Sequence, residues 1–561
     1  MFTRHYPHWP PGLPKTLSVP RTSVYFNLAV SASRFPDKAA IDYYGQRIAY
    51  SELKRQVDAL AGFLQARCGV KKGERVLLYT QNSPQFVIGY YAILRADAVV
   101  VPVNPMNRSE ELRHYVEDTD ASTIVSTQEQ WAEIAPLCGT TILKHVLLGA
   151  YSDYLPADTG LPVPAFVRAP REDAVHDAVT PWSEAIALNL VPTEHRAGPD
   201  DLAVMPYTSG TTGKPKGCMH THYNVLSTST AYGFWRTVTS ENVVLAVLPM
   251  FHVTGMQAGM NAPIQVGASA VVLSRWDRDC AAMQIERLQV TNITAITTMM
   301  VDFLANPKLA SYDLSSIQVL GGGGAPMPRA VAKKLHDTMK LEFIEGYGLS
   351  ETMAPTHINP GQRPKRQCGG IPIFDVDARV LDPETFAERA PMQVGEIVVH
   401  GPQVFRGYWK QPEATEEAFL EYDGKRFFRT GDLGYYDEEG YFFITDRLKR
   451  MINCSGYKVW PAEVESMLYA HPDIQEVCII AARDPYRGET VKAVIVPTAA
   501  ASGRIRGEQI AAWARDHMAA FKVPREFEFV GELPKTASGK ILWRELQERE
   551  NARADAGTGK P

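Results

Sequence analysis

The sequence predicts an α/β protein: a large N-terminal region of parallel α/β subdomains, a small β-barrel-like subdomain, and a small α+β C-terminal domain. Two observations lead to this prediction. Through the first half of the chain, short apolar segments alternate with stretches of helical periodicity, which is typical of βαβ units and a parallel sheet. From about residue 371, short β segments follow one another with Gly, Pro and Asp between them. This second pattern indicates antiparallel or barrel-like pairing.

The alternation begins with GERVLLYT at 73–80, a short apolar run that predicts a buried strand. Apolar residues then recur at helical spacing over 83–95, and a valine-rich strand is expected at 98–103. A second helix is expected over 108–118, followed by the strand STIVST at 122–127. The pattern recurs later in the chain, with strands predicted at 242–249, 268–274, 292–298 and 315–324.

The second half divides at a charged run. Before it, ARVLD, GEIVVHG and GYFFITD predict short strands at 378–382, 395–401 and 440–446. The run itself is DRLKR at 446–450, and a helix is expected to begin near Pro461. We therefore expect an N-terminal region, a hinge, a small domain and a polar, disordered tail, with the bounds 1–445, 446–450, 451–549 and 550–561.

Composition excludes several classes of protein. The 561 residues are 45% apolar and 22% charged, with a formal net charge of −5. This balance argues against a nucleic-acid binder, which would carry a basic surface. The 7 cysteines are widely spaced without a CxxC pair, so a disulfide framework or zinc site is not expected and a reducing, cytoplasmic location fits best. The sequence shows neither an N-terminal secretory signal nor an apolar run of the roughly 18 residues that would span a bilayer.

Residues 207–217 read YTSGTTGKPKG, which has the composition of a phosphate-binding loop. The spacing is not that of a Walker A loop, because Pro215 stands where that loop has Ser or Thr. Glycines allow tight turns that present backbone N–H groups, while hydroxyls and ammonium groups add donors and charge. The anion-binding groups predicted here are Thr208, Ser209, Gly210, Thr211, Thr212, Gly213, Lys214 and Lys216.

Further motifs stand in a fixed order along the chain. They are PMFH (249–252), GYGLSET (346–352), TGD (430–432), DRLKRMINCSGYKVWPAEVE (446–465) and PKTASGK (534–540). With 207–217, this series resembles the adenylate-forming superfamily, which includes acyl-CoA synthetases, adenylation domains of peptide synthetases and beetle luciferases. The resemblance extends over essentially the whole chain. One departure is Asp446, where many members have Gly.

The resemblance implies a reaction in two halves. A carboxylate attacks the α-phosphorus of ATP and gives acyl-AMP and pyrophosphate. The thiol of coenzyme A then attacks the acyl carbonyl and expels AMP. Because the first half brings anions together, it depends on charge neutralisation, including Mg²⁺.

The resemblance also implies roles for individual residues in binding ATP. Tyr347 would stack on adenine, Asp432 would accept hydrogen bonds from the ribose hydroxyls, and Arg447 would add a ribose or phosphate contact. Glu351 would hold Mg²⁺, with Thr208 as a second metal contact. The remaining nucleotide contacts implied are Gly323, Gly324 and Ala325 of the glycine-rich strand end, and Gly348.

Four catalytic residues and two residues of the domain movement follow from the same resemblance. Lys540 would reach the carboxylate and α-phosphate, and Thr352 and Glu351 would act on the phosphates. His252 would gate the acyl and thiol channels, although a histidine beside Phe is often simply half-buried. Lys449 would be the hinge about which the small domain rotates, and Gly456 would leave room for pantetheine.

The acid is less sharply specified than the reaction. The residues expected to line the acyl pocket are mostly apolar or small, namely Val253, Thr254, Gly255, Met256, Met260, Thr298, Met299 and Gly322. A medium- to long-chain fatty acid is the first prediction, and an aryl or branched acid stays open because apolar pockets discriminate weakly.

The kind of protein is open between a stand-alone CoA ligase and two rivals. The chain shows no carrier-protein module, which favours the stand-alone ligase. One rival is an enzyme that passes acyl-AMP to another acceptor, and the second is a non-catalytic binding protein of the same fold. The expected partners are the small-molecule acid, ATP and coenzyme A, and no nucleic acid. Contact with a membrane surface and the choice between monomer and homodimer stay open.

Overall fold

The computed structural model describes residues 1–172, 174–208, 215–324, 327–447, 450, 452–454, 457–459, 461–484, 488–536 and 541–557. At 446–447, 453–454, 457–458, 488 and 554–557 it describes the backbone alone. The strands predicted in the first half are present, and the first two sheets are largely parallel. The α/β class predicted from sequence is therefore confirmed.

The first sheet contains the glycine-rich strand and the strand that leads into GYGLSET. In spatial order its strands are Ile371–Pro372, His357–Ile358, Phe343–Tyr347, Val319–Gly323, Asn292–Ala295, Val243–Ala246, Ser269–Val272, Ala39–Tyr43 and Gln46–Ala49. Pairing is parallel from Phe343–Tyr347 across to Ala39–Tyr43 and antiparallel at both edges. The carboxyl ends of neighbouring parallel strands share one edge, so the segments after residues 323 and 347 lie together.

The second sheet lies earlier in the chain and leads into the phosphate-loop segment. Its strands, in spatial order, are His220–Thr221, Leu202–Val204, Val99–Pro102, Arg75–Tyr79, Thr123–Thr127, His145–Gly149 and Val179–Pro181. Beside it, Tyr207–Thr208 and Lys216–Gly217 form a separate antiparallel pair. The phosphate-loop segment thus starts and ends on paired strands.

Two largely antiparallel sheets follow, the first in the barrel-like region predicted from residue 371 and the second in the small α+β domain predicted after residue 450. The first contains Asp377–Leu381, Gly395–His400, Lys425–Tyr436, Phe419–Tyr422 and Phe442–Arg447. The second belongs to the small C-terminal domain and contains Tyr457–Val459, Ile452–Cys454, Gly488–Pro497, Ile474–Asp484 and Glu526–Phe529. In the C-terminal sheet Glu526–Phe529 pairs parallel to its neighbour.

Helices of different lengths alternate with the strands. The α-helices are Tyr25–Arg34, Tyr50–Ala66, Pro84–Arg95, Ser109–Thr119, Trp131–Ile134, Ala165–Arg168, Trp182–Ala187, His222–Trp235, Val253–Met256, Ala262–Val266, Arg278–Leu288, Thr297–Leu304, Arg329–Met339, Pro412–Glu417, Pro461–Leu468, Gly507–His517 and Trp543–Gly557. Short 3₁₀ turns lie at Tyr6–His8, Gln128–Gln130, Ala135–Leu137, Tyr151–Tyr154, Leu309–Ser311 and Ser350–Thr352. Within the described ranges, every helix is too short or too polar to traverse a lipid bilayer.

The helix Pro84–Arg95 shows how the core is built. Ser83 caps it by accepting a hydrogen bond from the amide of Phe86 at 3.2 Å, and proline at the first turn starts it. Every residue from Pro84 to Leu94 is buried. A helix that is apolar on all sides belongs in the interior of a large protein, and this one packs within a core that both parallel sheets share.

The C-terminal end departs from the prediction. Residues 550–561 were expected to be disordered, but the helix Trp543–Gly557 continues through most of them. Glu550 forms an ion pair with Lys492 at 2.5 Å, and Arg553 pairs with Glu528 at 2.7 Å. These pairs fix the polar segment on the strands of the small domain. In this structure 550–557 are therefore helical, and 558–561 lie outside the described residues.

Candidate active site

GYGLSET folds into a tight turn after the strand Phe343–Tyr347. The 3₁₀ turn Ser350–Thr352 is closed by Thr352, whose hydroxyl accepts from the amide of Leu349 at 3.0 Å. The turn places Glu351 and Thr352 in the interior, with 8% and 0% of their surface exposed. Two residues predicted to act on the phosphates are thus held by the backbone rather than on a mobile loop.

Tyr347 and Asp432 come together although they are far apart in sequence. The Tyr347 hydroxyl donates to a carboxylate oxygen of Asp432 at 2.7 Å. Asp432 is buried on the strand Lys425–Tyr436, where its backbone pairs with that of Arg447. The two predicted nucleotide contacts therefore meet where the first parallel sheet faces the barrel-like sheet.

The glycines of this region leave space for close backbone contacts. A Cβ atom on Gly323 would lie 2.5 Å from the carbonyl oxygen of Gly346 on the neighbouring strand. A Cβ atom on Gly348 would lie 2.8 Å from the Cα atom of Pro355. Larger residues at either position would push these backbones apart. Gly324, which follows, is exposed at the strand end.

The phosphate-loop segment is described only at its two ends. Thr208 and Lys216 pair on adjacent antiparallel strands and are both half-buried. The Lys216 ammonium lies over the ring of Tyr408, 5.1 Å from its centroid. The predicted contacts Ser209, Gly210, Thr211, Thr212, Gly213 and Lys214 lie outside the described residues.

Tyr408 is a site residue that the sequence reasoning missed. Its hydroxyl donates to a carboxylate oxygen of Glu351 at 3.0 Å. Burial, and then the negative charge of Glu351, hold the pKa of Tyr408 well above its usual range, so the phenol remains a donor. No local pattern in the sequence marks this contact, because 57 residues separate the two side chains.

Glu345 was also missed. This buried acid stands in the strand Phe343–Tyr347, and its two carboxylate oxygens accept from the amides of Met327 and Cys368. Burial raises its pKa to about 7, against the opposing effect of the backbone hydrogen bonds. The signal available in the sequence was an acid inside an otherwise apolar strand pattern, since buried acids require partners.

The other predicted residues are placed as follows. His252 is half-buried at the start of the helix Val253–Met256, with its ring centroid 4.5 Å from that of Phe251. Arg447 is described by its backbone alone. Ala325, Lys449, Gly456 and Lys540 lie outside the described residues, so their roles stay predictions.

The residues present fit a magnesium ion that arrives with its nucleotide. In the part of the chain that is described, no group of three or more His, Cys, Asp or Glu side chains could form a metal cage. Mg²⁺ is commonly held by one or two carboxylates plus substrate phosphates. A single oriented carboxylate, Glu351, beside the phosphate-loop strands matches that donor set.

Four residues of the predicted acyl wall belong to the core that the two parallel sheets share. Val253, Met256 and Met260 are buried, and Met299 packs against the same core. The helix here contains a π segment, Gln257–Asn261, between Val253–Met256 and Ala262–Val266. Such π segments often occur at functional sites. A separate cleft of about 690 Å³ is lined in part by Tyr408, Phe419 and Arg426.

Known proteins match both parts of the chain. Residues 28–409 match the AMP-binding enzyme family, and residues 463–540 match the AMP-binding enzyme C-terminal domain. The long-chain-fatty-acid–CoA ligase of Bacillus subtilis (strain 168) is 37% identical over 97% of both chains. Feruloyl-CoA synthase of an Amycolatopsis species is 34% identical over 92% of this chain and 96% of its own.

A solved structure of a related enzyme matches the fold of this chain. ATP-bound MatB from Rhodopseudomonas palustris superposes with a TM-score of 0.82 at 28% identity, covering 95% of this chain and all of that one (100%). The matches in sequence and in structure both extend over almost the whole length. The chain therefore belongs to the AMP-binding enzyme family and to its class of adenylate-forming acid–CoA ligases, as its motifs predicted.

Proposed function

We propose that this ligase activates a medium- to long-chain fatty acid. The observation that carries the proposal is that Val253, Met256 and Met260, which the sequence predicts for the acyl wall, are buried in an apolar core. An apolar wall without charge suits an alkyl chain. The proposal also has support from the relative in Bacillus subtilis, which is a long-chain-fatty-acid–CoA ligase with 37% identity.

In the first half-reaction, the acid's carboxylate would attack the α-phosphorus of ATP. Tyr347 and Asp432 would hold the nucleoside, and Thr352 would contact the α-phosphate. Thr208, Lys216 and the loop between them would hold the β- and γ-phosphates, which leave as pyrophosphate. Lys540 would neutralise charge on the carboxylate and α-phosphate oxygens.

Glu351 would hold Mg²⁺ together with the phosphates, with Thr208 nearby. When bound, the ion neutralises the charge of the phosphate oxygens. The buried carboxylate is kept in place for this by the 3₁₀ turn and by Tyr408.

In the second half-reaction, the thiol of coenzyme A would attack the acyl carbonyl and displace AMP. We propose that 1–445 form the region that binds ATP and acid, and that 451–549 form a small domain that turns about 446–450. This rotation would move Lys540 away from the bound substrates and bring the loop that contains Gly456 towards them. His252 would lie near the path of the thiol.

We further propose a cytoplasmic location, which accords with the free thiols of Cys68, Cys138, Cys218, Cys280, Cys368 and Cys478.

An aryl acid is the second candidate. It is favoured by the relative in Amycolatopsis, a feruloyl-CoA synthase that is 34% identical to this chain. The same wall accepts a ring, because apolar pockets separate such substrates by only about 1–3 kcal/mol per group.

A panel of acids would test both candidates. Pyrophosphate release is measured with ATP, Mg²⁺ and alkyl or aryl acids, with and without coenzyme A, and products are identified by mass. We expect acyl-CoA from fatty acids of medium to long chain, only when coenzyme A is present. A preference for aryl acids of more than about tenfold in kcat/KM would favour the second candidate. Acyl-AMP that accumulates whether or not coenzyme A is added would contradict the ligase reaction.

A further inference from the structure

We propose that Tyr408 is a positioning residue that sets the Glu351 carboxylate and the Lys216 ammonium relative to each other before the nucleotide and its metal ion bind. The inference rests on the proposed roles of Glu351 and Lys216. It adds a residue to the site that no motif of the sequence indicates.

The side chain of Tyr408 contacts two residues that have proposed roles in the site. At its edge, the hydroxyl donates to Glu351 at 3.0 Å. On its face, the ring receives the ammonium of Lys216 at 5.1 Å from the centroid, within the range of a cation–π contact. One side chain therefore contacts both the acid that would hold the metal and the cation that follows the phosphate loop.

The backbone makes Tyr408 a fixed point between those two groups. The segment 405–409 lies against the strand that leaves the phosphate loop, since Trp409 donates to Gly217 at 2.8 Å and Met219 donates to Gly407 at 3.0 Å. At its other end, the amide of Phe405 donates to the carbonyl of Glu351 at 2.8 Å. The same short segment thus ties the phosphate-loop strand to the GYGLSET turn.

Two further contacts restrict the backbone and the ring of Tyr408. The amide of Tyr408 donates to the hydroxyl of Thr415 at 2.9 Å, and the ring packs edge-on against Phe405 at 4.9 Å. A fixed phenol that donates to a buried carboxylate limits the rotation of that carboxylate. The acid is then already oriented when the metal arrives, and less ordering is needed on binding.

Tyr408→Phe tests the hydroxyl while keeping the ring over which Lys216 lies. The probe is Mn²⁺, and free Mn²⁺ is followed by electron paramagnetic resonance in the presence of a non-hydrolysable ATP analogue. We expect the affinity for Mn²⁺ to fall about tenfold or more, as for other groups that orient a metal ligand. Binding of the analogue in EDTA should change less than about twofold, because the hydroxyl acts on the metal ligand.

Tyr422→Phe is the matched control. Its hydroxyl also donates to a glutamate, Glu388, at 3.1 Å, on the barrel-like sheet. This variant should leave both affinities unchanged.

A second test uses Glu351→Asp, which moves the carboxylate away from the phenol. Because Tyr408 can then no longer orient the carboxylate, the double variant Y408F/E351D should bind Mn²⁺ as well as E351D does.

Three results would overturn the inference. An Mn²⁺ affinity of Y408F equal to that of the wild type would remove the orienting role. Equal losses in the metal and EDTA experiments would mean that Tyr408 serves the structure alone, as would an undiminished effect of Y408F in E351D. If the wild type itself bound no Mn²⁺ in the presence of the analogue, the proposed metal-binding role of Glu351 would be wrong. That result would contradict the proposed function, and it differs from the three results that contradict the role of Tyr408 alone.

Discussion

Two lysines near the C-terminal end differ in their proposed roles. Lys535 forms an ion pair with Glu476 at 2.6 Å and is half-buried. Lys540, five positions on in PKTASGK, lies outside the described residues and has its role from the family resemblance alone. The pair offers a direct test, because both variants remove an ammonium group from the same short motif.

Lys540→Ala should abolish formation of acyl-AMP, with a loss of about 100-fold or more, because it removes charge stabilisation of the attack on phosphorus. Conversion of supplied acyl-AMP and coenzyme A to acyl-CoA should stay within about threefold, since that half-reaction would not use the lysine. Single-turnover assays measure each half separately.

Lys535→Ala is the control for this prediction. It removes a half-exposed ion pair, which contributes at most about 1 kcal/mol to stability. Both half-reactions should therefore stay within about twofold of the wild type. An equal loss of both halves in K540A, or a loss of adenylation in K535A, would contradict the assignment of Lys540.

How far residues are predictable from sequence depends on whether their partners are local. Tyr347, Glu351 and Asp432 were identified because each lies in a short motif. The hydrogen bond from Tyr347 to Asp432 was not, because it joins residues 85 positions apart that only the packing of two sheets brings together. Tyr408 was missed for the same reason.

At the scale of elements, Glu345 connects one strand with two loops. Its carboxylate accepts from the amide of Met327, after the glycine-rich strand, and from Cys368 at 3.1 Å, before the strand Ile371–Pro372. Two N–H donors facing one carboxyl group match its ionised form, whereas burial opposes ionisation. Burial has the larger effect, since the pKa lies at about 7.

The sign of the resulting pH dependence follows from that shift. The folded pKa of about 7 lies above the ordinary 4.5, so the folded state binds the proton more tightly. The contribution of Glu345 to stability is therefore fully present below about pH 4.5 and is lost as pH rises through 7. Relative to Glu345→Gln, the wild type should lose about 2 kcal/mol of unfolding free energy between about pH 5.5 and 8.5.

Denaturant titration of the wild type and of E345Q across this pH range measures the difference between their free energies of unfolding. Glu345→Gln will be less stable overall, because its amide N–H₂ meets backbone N–H groups, but that loss does not depend on pH. Glu52→Gln, at an exposed pair with Arg55 at 2.7 Å, is the control and should show a pH effect below about 1 kcal/mol. A constant difference between wild type and E345Q would show that Glu345 does not titrate in this range.

Elements were predictable where periodicity was strong. The strands Arg75–Tyr79 and Thr123–Thr127 and the helix Pro84–Arg95 formed within a few residues of their predicted bounds. The π segment Gln257–Asn261 was not foreseen, because all of its residues are buried and there is no separate apolar face whose shift could reveal an extra residue. The extension of the terminal helix beyond residue 550 was missed because ion pairs with Lys492 and Glu528 hold it there, whereas the apolar residues that pack, Trp543 and Leu546, lie earlier in the helix.

At the scale of the whole molecule, the small domain has a core of its own. Val464, Ile479, Ile495 and Ile510 are buried together in it. A contact with the larger region is made by Gln367, whose amide donates to the hydroxyl of Ser466. A domain with its own core can turn as a unit when such contacts break.

Lys449→Pro tests whether that turn separates the two half-reactions. Proline fixes φ near −65° and removes a backbone N–H, so it should restrict a hinge at 446–450. We expect formation of acyl-AMP to stay within about threefold, while its conversion to acyl-CoA falls about 100-fold or more. Lys449→Ala removes the same side chain but leaves the backbone free, so both half-reactions should persist. Normal turnover in K449P would place the hinge elsewhere, and an equal loss in K449A would mean that the lysine side chain, not backbone rotation, is required.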